Sequence, residues 1–158
     1  AFHAAIGAGY EVRAGEGEVL QNDDEWRLWG SVNKGFDRLH LGATANVFFA
    51  GNKDSGLGNS DRFSWHLHAD YWINDWFSPV VELNGYHVLD AGTEVLPFQG
   101  VDVANLGGGS AEDVITLGMG AEFRPASNIG IRAAYEMPLT DKEDLFGHRI
   151  TASLVVSF

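Results

Sequence analysis

Ser64, His66, His68 and Asp70 fall at alternate positions of one segment and could supply a nucleophile, a base and a carboxylate. In an extended chain, residues two apart share a face, so all four side chains point the same way. Nucleophilic catalysis needs a hydroxyl and an imidazole within hydrogen-bond reach. The rise of a strand sets Ser64 and His66 roughly 6–7 Å apart along it, too far for direct proton transfer, so no enzyme is expected. His66 and His68 beside Asp70 could also form a metal or acid–base site. His3 and His40 share their face but are expected well below His68, which leaves these groups as mutually satisfied interior polar residues. Asn52, Asp54, Asn59 and Asp61 are the best local set of hard oxygen ligands, with Asp54 and Asp61 the charged candidates. Their spacing matches no calcium-binding loop, so neither a metal nor a cofactor is assigned.

A second constellation carries both signs of charge on that polar face: Glu11, Arg27, Asp70, Glu82, Glu122, Arg124, Arg132, Glu136 and Arg149. Charges enclosed by protein are tolerated when they pair and hydrogen-bond, so this mixture predicts a network of salt bridges. Glu122, Arg124 and Arg132 would meet in one half of the molecule. Glu136, Arg149 and Glu11 would meet in the other if the last strand neighbours the first. In a narrow barrel such a network plugs the lumen. A charged eyelet that selects ions needs a wider one.

The elements that must position these groups are written as period two. Residues 148–158 read HRITASLVVSF, with Ile150, Ala152, Leu154, Val156 and Phe158 on one face and Arg149, Thr151, Ser153 and Ser157 on the other. The same alternation recurs about seven more times, as in Phe2, Ala4, Ile6, Ala8, Tyr10 and Val12, or Phe63, Trp65, Leu67, Ala69 and Tyr71. It is weakest around Pro79, Val81, Leu83 and Gly85. Alternation sustained over so many segments predicts an all-β protein. Connections alternate too: short near 37–38, 74–76 and 125–128, long over 14–25, 51–62, 90–113 and 140–147. The prediction is one antiparallel, up-and-down domain over residues 1–158 with about eight strands.

Bulk properties narrow the class. A 45% apolar content is too high for a disordered chain, and no run approaches the 18 or more apolar residues of a membrane helix. In lipid only helices and closed barrels satisfy their backbone hydrogen bonds, so a membrane protein of this sequence would be a barrel. A net charge of −12 argues against nucleic acid, because no stripe of Lys and Arg is present to neutralise phosphates. The chain has no cysteine, which decides nothing about its compartment.

Alternation alone does not say which face is inside. Glycines crowd the polar face beside the charges (Gly7, Gly9, Gly42, Gly118, Gly120 and Gly130), as expected where small and large side chains together fill a narrow interior. Aromatics collect at strand ends of the apolar face. Phe2, Phe36, Trp76, Phe77, Phe123 and Phe158 fall near the short turns, and Trp26, Phe49, Phe63 and Trp65 near the long loops. Two such belts suit rings seated at the two interfaces of a bilayer. The apolar face is therefore expected outside, in lipid.

A chain ending on an amphipathic strand with an aromatic final residue resembles a bacterial outer-membrane β-barrel. The spacing of Thr151, Ser153, Val156 and Phe158 is similar to the terminal signal read by the barrel-assembly machinery, with Ser153 where that family more often has Gly. The size resembles small OmpA- or OmpX-type barrels. This resemblance implies an outer-membrane location, contact with outer-membrane lipids and lipopolysaccharide, and a structural, adhesive or accessory-subunit role through long acidic loops that meet an envelope or cell-surface protein. It also implies two alternatives. In one, these are the C-terminal strands of a larger pore-forming barrel, since the stretch AAYEMPLTDKEDLFGHRITASLVVSF looks like the end of larger outer-membrane transporters. In the other, the barrel is a lipid-modifying or proteolytic enzyme.

Overall fold

A computed structural model describes residues 1–12, 24–51, 60–90, 113–140 and 147–157. Eight strands form one sheet: β1 (Phe2–Glu11), β2 (Glu25–Phe36), β3 (Leu39–Ala50), β4 (Asp61–Tyr71), β5 (Phe77–Asp90), β6 (Val114–Ala126), β7 (Ile129–Pro138) and β8 (Arg149–Val156). Each pairs antiparallel with the next in chain order. The all-β, up-and-down architecture read from the alternation is therefore present. The expected closure is not, because β8 forms no ladder with β1 and the sheet keeps two open edges.

The three short connections all lie at one end. Asp37 and Arg38 turn β2 into β3, and Asp37 takes the left-handed conformation (φ 56°) that a tight hairpin turn requires and that Asp tolerates better than most residues. Between β4 and β5 the Asn74 side chain accepts a bond from the Trp76 amide (3.1 Å), an Asx turn. Ser127 and Asn128 join β6 to β7.

Polarity is inverted relative to a water-soluble sheet. Val114 is the one buried hydrophobic residue among those described, whereas Glu25, Asn46, Ser64, Ser78, Asn84, Thr116, Glu122 and Glu136 are buried. On the opposite face large apolar side chains stand bare, among them Ile6 (90% exposed), Ile150 (76%) and Leu154 (65%). The polar face is concave and surrounds a cavity of about 610 Å³ lined by residues of β3 to β8 and the turn after β4.

Aromatics cluster at both ends of the outer face. Trp76 packs edge-on against Phe123 (5.4 Å between centroids) at the short-turn end, and Tyr10 against Trp26 (4.5 Å) at the other. Trp65 lies flat over Gly85, where any Cβ would collide with its indole, and donates from Nε1 to His87 Nε2 (2.8 Å).

Candidate functional site: the charged wall of the cavity

Register decides which polar side chains meet. His40 pairs with Asp70 across β3 and β4, and His68 with Glu82 across β4 and β5. The result is a chain of four groups: His40 Nδ1 to Asp70 Oδ2 (3.1 Å), Asp70 Oδ1 to His68 Nε2 (3.2 Å) and His68 Nδ1 to Glu82 Oε1 (2.8 Å). Ser78 donates to Asp70 Oδ2 as well (3.1 Å). His40 was expected well below His68. Asp70 instead joins the two, because β3 and β4 pair in a register that the long connection between them concealed. Each carboxylate contact of the His68 ring needs a proton between the atoms, so the ring and its two carboxylates share two protons in all.

A second cluster is centred on Glu136. Arg149 donates to its Oε2 from Nε (3.0 Å) and Nη2 (2.6 Å), while the Asn84 amide (3.1 Å) and the Thr116 hydroxyl bond to Oε1. Asn84 Oδ1 in turn meets His66 Nδ1 (2.8 Å). A third cluster has Glu122 between two guanidinium groups, Arg124 (2.6 Å) and Arg132 (2.7 Å), with Arg124 also stacked on Trp72 (4.3 Å). Arg62 binds Glu25 (2.6 Å), and it shares the ring of Phe48 with Arg27 (4.7 and 5.2 Å).

The residues singled out from sequence are thus distributed unevenly. Glu122, Arg124 and Arg132 meet, as do Glu136 and Arg149. Glu82 pairs with a histidine, and Arg27 with a neutral amide, Asn46 Oδ1 (2.9 Å). Glu11 does not join Arg149: the open edge leaves it exposed on β1, opposite Glu25. Ser64 and His66 turn to different partners, Asn46 and Asn84. Asp61 accepts the Ala50 amide (2.9 Å), and among the described residues no group of three His, Asp or Glu is arranged to hold a metal ion. Thr151 and Ser153 line the cavity and Val156 is exposed on the outer face. Phe158 and Asp54 lie outside the described residues, as do Asn52 and Asn59.

Sequence reading missed Asn46, Arg62, Asn84 and Thr116 as members of this wall. Their position on the polar parity was visible, but their partners depended on register. These contacts run along the sheet, within one strand or between strands one or two apart. No family model matches the chain, and no curated protein or solved structure matches it significantly.

Proposed function

We propose that this chain forms the wall of an aqueous pore in a bacterial outer membrane, its bare apolar face against lipid and its polar concave face against water. The observation that carries this reading is the inverted polarity: buried Glu, Asn, Ser and Thr on the inner face, exposed Phe, Trp, Leu and Ile on the outer. A water-soluble sheet would pay a large hydrophobic cost for that arrangement. Lipid removes the cost, and strands of 8 to 14 residues suit a tilted crossing of its core. The aromatic clusters at both strand ends fit the two interfaces. A pore is favoured over a plug because the ion pairs lie along the wall and leave the cavity open.

In this reading the outer face meets outer-membrane lipids and lipopolysaccharide, and Thr151, Ser153, Val156 and Phe158 present the terminal signal to the assembly machinery. A structural or adhesive barrel acting through its acidic loops is the second reading. It is favoured by one observation, that all four carboxylates lining the cavity are already paired and leave no bare charged ring to select ions. Conductance across a planar bilayer separates the two. Stable open channels from the refolded protein are expected. A membrane-inserted but electrically silent protein would remove the pore and leave the structural role.

A further inference from the structure

The arginines of the cavity wall are not matched one to one by carboxylates, and the mismatch falls at one place. Arg149 meets Glu136 through both Nε and Nη2, so that pair is neutral and its guanidinium fork is used. Glu122 instead stands between two guanidinium groups and takes one bond from each, Arg124 Nε on Oε1 (2.6 Å) and Arg132 Nε on Oε2 (2.7 Å). One negative charge against two positive ones leaves a positive surplus. Among the described residues neither Arg124 nor Arg132 has a further hydrogen-bond acceptor, so the Nη groups of both remain as donors. Their side chains are 47% and 58% exposed, and both line the cavity.

We propose that Arg124 and Arg132 together bind a small oxyanion, the phosphate or carboxylate group of a solute in the cavity, with Glu122 as the residue that positions the pair. This rests on the reading of the concave face as the water-filled side and names the class of solute it holds.

The surroundings hold both guanidinium groups in place before any anion arrives. Arg124 is stacked on Trp72 (4.3 Å), and its backbone amide is tied to the Trp76 carbonyl (2.8 Å). Arg132 stands opposite Glu122 on one side and Ser153 on the other, and the Ser153 hydroxyl adds a neutral donor at the cavity surface. Gly130 keeps the Oε1 side of Glu122 clear: a Cβ there would lie 3.6 Å from that oxygen. Two planar forks fixed in this way lose little freedom on binding and match the oxygens of a phosphate or carboxylate.

Electrostatics favours the same occupant. Like charges held side by side in a wall that is partly shielded from water repel more strongly than in bulk solvent. Glu122 offsets that repulsion from behind, and an anion on the open side offsets the rest. The next carboxylate along the sheet does not compete for the pair. Asp70 is reached through Ser78, which lies opposite Glu122, and it is held by His40 and His68.

The test is a calorimetric titration of inorganic phosphate into the whole chain refolded in octyl glucoside, a detergent without phosphate, in about 0.1 M chloride to screen long-range attraction. Saturable binding at one site per chain is expected. Arg124→Gln and Arg132→Gln should each weaken it by about tenfold or more, and Arg132→Lys by less, because an ammonium keeps the charge and loses the fork. Lys34→Gln removes the same charge from β2, away from the cavity, and should leave binding unchanged. Circular dichroism checks that each variant keeps its strands. If both Gln variants unfold, Arg132→Lys decides, and binding as tight as in the unaltered chain would overturn the fork. Absence of saturable binding to the folded, unaltered chain overturns the site. So does an equal loss in Lys34→Gln, which would mean attraction to overall charge. The site and the pore fail separately: phosphate bound by a protein that is silent in bilayers removes the pore and keeps the site, and open channels without phosphate binding do the reverse.

Discussion

Glu136 binds three side chains at once, Arg149, Asn84 and Thr116. Replacing it with Ala removes the carboxylate that Arg149, Asn84 and Thr116 share, in a place where water reaches only part of the site. Glu136→Ala is expected to cost about 2 kcal/mol, at the lower end for a broken buried pair because Arg149 faces the cavity. A urea titration of the vesicle-refolded protein checks this, and an unchanged midpoint would mean that the cluster contributes little. At this scale the sequence was half legible. Parity identified Glu136, Arg149, Glu122 and Arg132 as inner residues, but parity is blind to register. The chain from His40 through Asp70 and His68 to Glu82 depends on how β3 meets β4 across a long connection, and no spacing rule reports that.

The strands and their short turns were legible because period two and turn chemistry are local properties. Asp37 carries the clearest local strain, a non-glycine residue at φ 56°. Asp37→Gly relieves it and is expected to stabilise the β2–β3 hairpin by roughly 0.5–1 kcal/mol, while Asp37→Val should destabilise it by about 1 kcal/mol or more. Equal midpoints for both variants would show that the turn tolerates any residue. β5 is the element that the alternation described worst, yet it is the longest strand. Val80 lines the cavity there among polar groups, which blurs the pattern, and the ladders with β4 and β6 hold the strand regardless. Leu117 lies on the outer face, between Leu83 and Met137. Leu117→Arg should destabilise the vesicle-bound protein by about 2–4 kcal/mol, as a cation does near the bilayer midplane. A neutral substitution would mean that this face does not meet lipid.

For the molecule as a whole, the sequence announced a sheet whose polar face turns inward and whose apolar face turns outward, and in the structure the polar face is the concave one. Closure was not legible. Periodicity describes each strand separately, whereas closing a barrel depends on the stagger and tilt summed over all of them. The open edge is also why Glu11 stands apart from the interior it was expected to join. The central claim is that the outer face meets lipid and the inner face water. It is tested most directly by single cysteines placed in turn from Phe63 to Asp70 along β4, spin-labelled in vesicles and probed with a lipid-soluble and a water-soluble relaxation agent. Positions 63, 65, 67 and 69 are expected to respond to the lipid-soluble agent, and 64, 66, 68 and 70 to the water-soluble one. The opposite alternation, or uniform access from water, would contradict it.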